Sequence, residues 1–410
     1  MSYKHFENLP NNWNLDKFEN LAKITCGVAA TPEYVDKNIG VPFFSASNVQ
    51  KGLLDTKKVK YIPRELHERL TKNTKPGFGD VLMTRVGAGI GETAIVDIKY
   101  DFSVYVSLTL IKPNKKLNSS YVKYVLNTDY YRYLAIREQF AGGGVQNLNV
   151  QMVKNYLIAV PPLVEQQKIA KILSTWDKAI GTTERLIENS TQQKKALMQQ
   201  LLTGKKRLLD EAGKRFEGEW EEVTVSSFGK VVTGSTPPKN DSSNYDGNIS
   251  WATAEDFKQK YVSNTKVKLT ESGATKARVV PKGSVLVTCI ASIGKNAIAN
   301  EDLATNQQIN SVVINKNNSN EFFYYLIEFN THKLLAWAGT TAVPILNKTS
   351  FEKVKFIVPN LKEQQKIATV LTNADKEIEL LEQQLADLQQ EKKALMQVLL
   401  TGKKRVRLND

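Results

Sequence analysis

The segment whose residue types come nearest to doing chemistry is Val86-Gly87-Ala88-Gly89-Ile90-Gly91-Glu92-Thr93, which follows a β-type run. Glycines there would let the backbone approach a phosphate or dinucleotide. Its spacing is wrong for both known cradles, being GxGxG where a nucleotide loop has GxGxxG or GxxxxGK[ST]. Residues Ile290–Asn296 occupy the corresponding place later in the chain and share one glycine, Gly294 against Gly91, across a one-residue gap. A shared structural turn accounts for the pair better than a cofactor site. Pro161-Pro162 and Pro237-Pro238 lack the flanking residues of the Asp/Asn/Ser-Pro-Pro-aromatic run with which amino-methylating enzymes hold a flipped base. Asp80 and Asp97 read as solvated turn carboxylates, and no GxSxG elbow is present. Three histidines, His5, His67 and His332, have no metal-ligand partner at short spacing, so no metal site is expected. Cys26 and Cys289 form no disulfide framework and fit a reducing cytoplasm. The chain is therefore read as non-catalytic.

What remains is chemistry suited to a polyanion. The formal net charge is +14 over 410 residues. Lys57, Lys58, Lys60, Tyr61 and Arg64 cluster in the first half, and Lys258, Lys260, Lys266 and Lys268 take a similar place in the second. Such side chains can bind phosphates and fix register on a duplex. Base reading needs amides, hydroxyls and arginine at loop tips. Ser45, Ser47, Asn48, Thr84, Arg85, Gln146 and Asn147 are the candidates in the first half. Thr253, Glu255, Thr288, Ser292, Gln307, Gln308 and Asn310 are their counterparts in the second.

The elements that must position these residues come from a repeat. Residues 161–207 and 359–405 align at a constant offset of 198 without a gap, with 27 of 47 positions identical. A gap would rotate everything beyond it by about 100° on a helix, so a gapless match preserves the faces. Apolar positions step by four and three through Ile169, Leu173, Trp176, Ile180, Ile187, Leu197 and Leu201. The second copy steps through Ile367, Leu371, Ile378, Leu381, Leu385, Leu388, Leu395 and Leu399. Thr183, Ser190 and Lys194 interrupt the first seam. These heptads predict two helices of about 60 Å that pack antiparallel as a coiled coil. Gly204 and Gly402 are the stop signals.

The segments ahead of the helices correspond weakly, with landmarks such as GDVLMTRVGAGIGETAIV and GSVLVTCIASIGKNAIA in the same order. Short β-type runs alternate with an aromatic-rich helical stretch in each half, at 119–140 and 320–339. The fold class expected is mixed α+β and α/β. Its parts are a domain over 1–160, a long helix over 161–207, a second domain over 208–358, and a second helix with a basic tail over 359–410. No apolar run approaches the roughly 18 residues of a membrane span, and no secretory signal opens the chain. The residues leave open a stand-alone DNA-binding or regulatory protein, an enzyme with its own site, and a coiled-coil scaffold for protein partners.

With PPLVEQQKIAKIL and PNLKEQQKIATVL each leading into a helix that ends KKALMQxLLTGKKR, the chain resembles the specificity subunit of a type I restriction–modification system over nearly its whole length. That resemblance implies two target recognition domains, each reading one half of a bipartite, asymmetric site in double-stranded DNA. It implies two modification subunits that use S-adenosylmethionine to methylate adenine, and two restriction subunits that use ATP and Mg to translocate and cut DNA. The cofactors would sit on those partners and none on this chain, which would work in the cytoplasm with no membrane.

Overall fold

The computed structural model describes residues 6, 9–29, 32–138, 147–339 and 343–407. The chain divides into two compact units, Met1–Glu184 with Gln384–Asp410, and Arg185–Gln383. Two continuous helices of 39 residues, Leu163–Leu201 and Leu361–Leu399, each contribute one half to each unit.

In the first unit the central sheet runs Ala22–Cys26, Leu108–Pro113, Val81–Thr84, Thr93–Ile95, with antiparallel neighbours throughout. Val81–Thr84 is buried along its whole length because both faces are covered. Val81 and Met83 point into the cluster holding Tyr121, Tyr124 and Ile169, whereas Leu82 points into a second cluster with Phe44 and Phe102. Val41–Phe44 pairs antiparallel with Lys60–Ile62 and parallel with Ser103–Val104 in a second, smaller sheet.

The second unit repeats this plan on different residues. Its central sheet runs Gly229–Thr233, Ile309–Ile314, Val285–Thr288, Asn296–Ala299, and adds Tyr261–Val262 in parallel at the edge. Val285 and Val287 face one cluster and Leu286 another, as their counterparts do. Tyr245–Ala252, Val267–Leu269, Leu303–Thr305 and Val279–Val280 build its second sheet.

Each aromatic-rich stretch is two helices where the sequence suggests one: Ser119–Leu126 with Asp129–Glu138, and Asn320–Phe329 with Thr331–Ala336. Asn127 makes the first break useful. Its side chain accepts from the Thr93 amide at 3.1 Å and donates to the Thr93 carbonyl at 2.7 Å, extending the sheet edge.

The long helices pair antiparallel in both units. The start of the first helix (Ile169, Leu173) shares a cluster with the end of the second (Leu399, Leu400). In the other unit, Leu201 and Leu202 share one with Ile367 and Leu371. The remaining seam positions, Trp176, Ile180, Ile187, Leu197, Ile378, Leu381, Leu385, Leu388 and Leu395, are half-buried. The interruptions of the first seam are themselves partnered. Ser190 donates to Glu377 at 3.0 Å, Lys194 pairs with Asp375 at 2.7 Å, and the buried Thr183 hydroxyl donates to its own helix at Ala179. Lys392, the repeat counterpart of Lys194, pairs with Asp177 at 2.5 Å.

The identical residues EQQK and TGKKR are explained by how each domain is fastened. The last strand of each domain pairs with its first, Asn14–Lys17 with Leu157–Val160 and Glu221–Thr224 with Lys355–Val358, and then runs into a long helix. Gln166 accepts from the Asn118 amide at 2.8 Å and donates to the Pro161 and Lys116 carbonyls. Gln364 likewise accepts from Ser319 and donates to Pro359. Gly204 and Gly402 end the helices at φ 70° and 72°, the left-handed conformation that lets the chain turn back. Arg405 then reaches Glu165, and Arg207 reaches Glu363, through two hydrogen bonds of 2.6 and 2.7 Å in each case. Glu165 and Glu363 are fully buried. Arg207 and Arg405, which in the sequence belong to the basic ends that follow the two helices, are thus bound guanidinium groups, each forming a clasp with its glutamate.

Candidate nucleic-acid interface

The Gly87–Gly91 loop closes on itself. The Ile90 amide donates to Gly87, Gly91 to Thr84 and Glu92 to Gly89, so those donors are spent within the hairpin. Gly91, at φ 82°, lies against the helix Asp129–Glu138, where a Cβ would stand 2.8 Å from that of Ala135. Gly294, at φ 87°, meets Thr331 in the same manner. The turn reading accounts for both glycines. Among the described residues no group of three or more His, Cys, Asp or Glu is placed to hold a metal. His67 is buried against the Ser103 hydroxyl at 2.9 Å, and burial lowers its pKa from the ordinary 6.5.

In the first unit, Asn48 shapes a loop from within. It is buried, accepts from the Ser45 amide at 3.0 Å, and donates to the carbonyls of Asp55 and Lys58 at 3.0 and 2.9 Å. Those bonds hold the backbone that carries Lys57 and Lys58 into solvent. Ser47 is exposed and Ser45 half-buried, the two hydroxyls lying 3.0 Å apart. Lys60 is exposed with its ammonium 4.4 Å above the Tyr34 ring, Tyr61 is half-buried, and Arg64 is exposed at the start of a helix. Thr84 and Arg85 are buried, which removes them from the surface set. Arg85 Nε donates to the Leu148 carbonyl at 3.1 Å and so fastens the segment that presents the exposed Asn147. Gln146 lies outside the described residues.

The second unit sorts in the same way. Thr253 caps a short turn through Asp256, and Glu255, Lys258 and Lys266 are exposed around it. Lys260 is turned inward, against its assignment as a phosphate contact. Its ammonium pairs with Glu321, and donates to the Tyr325 hydroxyl at 3.0 Å and to Thr372 of the second long helix at 2.8 Å. Lys268 is half-buried in a strand. Thr288 and Asn310 are buried; Thr288 donates to the Lys295 carbonyl, and Asn310 accepts from Thr233. Ser292 and Gln307 are exposed on turns, with Gln308 half-buried beside Gln307.

Asp177, Lys123 and Tyr124 form a polar cluster that sequence reasoning misses. Burial would raise the Asp177 carboxyl, but Lys123, Lys392 and the Tyr124 hydroxyl outweigh it and hold the pKa below the usual 3.8. Lys123 is lowered by burial, against the pull of Asp177. In the second unit, Asp375 takes the place of Asp177 and Tyr325 that of Tyr124. These groups attach domain to helix and leave the exposed lysines and amides above as the accessible polar chemistry.

Two repeated mixed α/β domains, each fastened to an antiparallel pair of long helices and each presenting basic and amide side chains on loops, define a protein of tandem recognition domains on a helical scaffold. The family model for the type I restriction modification DNA specificity domain matches residues 10–190 and again 217–390, and the chain belongs to that family. The type I restriction enzyme MjaVIII specificity subunit of Methanocaldococcus jannaschii is 24% identical, over 98% of this chain and 95% of the relative. The S subunit of a type I system from M. genitalium has a similar fold, with TM-score 0.59 and 15% identity, over 98% of this chain and 99% of that one. The HsdS subunit from Thermoanaerobacter tengcongensis gives TM-score 0.51 and 18% identity over 98% and 100%.

Proposed function

We propose that this chain is the DNA-recognition subunit of a type I restriction–modification complex, with each domain reading one half of a bipartite site. The observation that carries this reading is the doubled match to the DNA specificity domain, each copy spanning one loop-bearing domain and most of its long helix. Exposed Lys57, Lys58, Lys60 and Arg64 in one domain, and Lys258 and Lys266 in the other, supply phosphate contacts. Ser47 and Asn147, and Glu255, Ser292 and Gln307, supply donors and acceptors for base edges. These sets differ, so the two half-sites differ and the whole site is not a palindrome.

The chain itself is a recognition element and holds no cofactor. S-adenosylmethionine belongs to two modification subunits that methylate adenine, and ATP and Mg to two restriction subunits; the complex works in the cytoplasm. Half-sites about one duplex turn apart, roughly 34 Å, fall within the reach of helices about 58 Å long. Selection of random duplex DNA by the purified chain tests the reading. A motif of two defined blocks around an undefined spacer is expected, and replacing residues 208–358 with another member's domain should change one block only. Enrichment of a single block, or of no motif, contradicts it.

A further inference from the structure

Gln307 is exposed on its turn, yet one end of its amide is already engaged. The Thr236 hydroxyl donates to Oε1, whereas Nε2 donates to no described residue. Fixed backbone carries both side chains. Thr236 lies between two anchored carbonyls: Ser235 accepts from the Trp251 indole at 3.0 Å, and Pro237 from the Tyr245 hydroxyl at 2.7 Å. Gln307 lies between Asn306 and Gln308, where the Asn306 side chain accepts from the Gln308 amide at 3.1 Å.

The fold does not require this pair. The first unit makes the same crossing with matching backbone bonds: Val28 to Val104 for Ser235 to Thr305, Tyr105 to Phe44 for Asn306 to Ala252, and Arg85 to Ser107 for Cys289 to Gln308. That correspondence puts Ala29 in the place of Thr236 and Val106 in the place of Gln307, two side chains with no hydrogen-bonding group. Cations flank the turn in the second unit. The exposed Arg278 donates to the Thr233 carbonyl at 2.8 Å, just ahead of Thr236. The exposed Lys295 donates to the Ala254 carbonyl at 2.6 Å, beyond the strand that pairs in parallel with the one leading to Gln307. Such charges suit the phosphates on either side of a base contact.

With Oε1 engaged, the amide offers a base its two N–H donors and no acceptor. In the major groove guanine presents two acceptors, O6 and N7, whereas adenine presents N7 beside an amino donor and takes a glutamine through both ends of the amide. Resting on the recognition role proposed above, we infer that Gln307 reads guanine in the half-site of the second domain, and that Thr236 is the positioning residue that turns adenine away.

Selection of random duplex DNA by the full chain and its variants tests this. The parent should prefer guanine over adenine by about tenfold or more at one position of the second block. T236V removes the hydroxyl and frees the amide, so adenine should approach guanine there to within about threefold, and T236S should restore the preference. Q307E offers acceptors in place of donors and should exchange that guanine for cytosine or adenine, the bases with an amino group in this groove. All other positions should keep their identity, whereas a merely structural role would weaken the second block throughout. Gln307 is exposed, so Q307E carries the test should T236V not fold. A parent that selects two blocks while Q307E, or folded T236V, leaves every position unchanged overturns this inference alone. A parent that selects no two-block site overturns the recognition role and this inference with it.

Discussion

Removing one partner of a clasp should cost far more on the arginine side than on the glutamate side. Glu165 is 1% exposed and Arg405 42%, while Glu363 is 0% and Arg207 21%. Arg405→Met leaves a carboxylate in an apolar site with one remaining side-chain donor, Trp13 Nε1 at 3.0 Å. Orphaning a buried charge in this way costs about 3–5 kcal/mol. Glu165→Gln keeps an acceptor for that indole and frees an arginine that water already reaches, so about 1–2 kcal/mol is expected. Arg207→Met should be the most damaging of the four, because the Trp220 indole makes no hydrogen bond and leaves Glu363 without the donor that Glu165 retains. Urea and thermal unfolding of the single variants provide the assay. Equal losses for R405M and E165Q would refute the reasoning.

Changing Lys57, Lys58, Lys258 and Lys266 to alanine should flatten the plot of log affinity against log salt by up to about 0.9 per lysine, with Tm unchanged; the selected DNA blocks should stay the same. Lys260→Met should do the reverse, lowering Tm through the loss of its contacts to Glu321 and Thr372 while the salt slope holds. Gly91→Ala and Gly294→Ala combine an unfavourable φ with a clash against the following helix, so each should lower stability by more than about 1 kcal/mol in urea unfolding. His67 has a lowered pKa in the folded state, so its contribution is complete above the unfolded value near 6.5 and falls away as pH drops below it; His67→Gln should remove that part of the acid loss of Tm.

Periodicity was the readable part of this chain. A gapless repeat with apolar residues on one helical face dictates two long helices and their pairing, because register on a helix survives only without insertions. Charged and polar residues were harder to place, since residue type carries no information about burial. Asn48, Thr84, Thr288 and Asn310 have groups suited to base reading, yet each is buried to satisfy backbone or side-chain partners or to fill the core. Lys260 looks like its exposed neighbours in sequence and differs only in facing Glu321. The clasps join residues 240 and 156 positions apart, so local pattern offered no pairing. One signal was available: a glutamate and an arginine recur at the same two places in both copies, and an antiparallel pairing brings each beside the other's counterpart.

The central claim is that this chain chooses where a type I complex acts, and mapping N6-methyladenine across DNA from cells with and without it is the most direct test. With modification subunits present, the chain should add one bipartite motif with unlike halves, a fixed spacer and one modified adenine on each strand. An unchanged methylation map, or new methylation at a motif with a single block, would contradict the account.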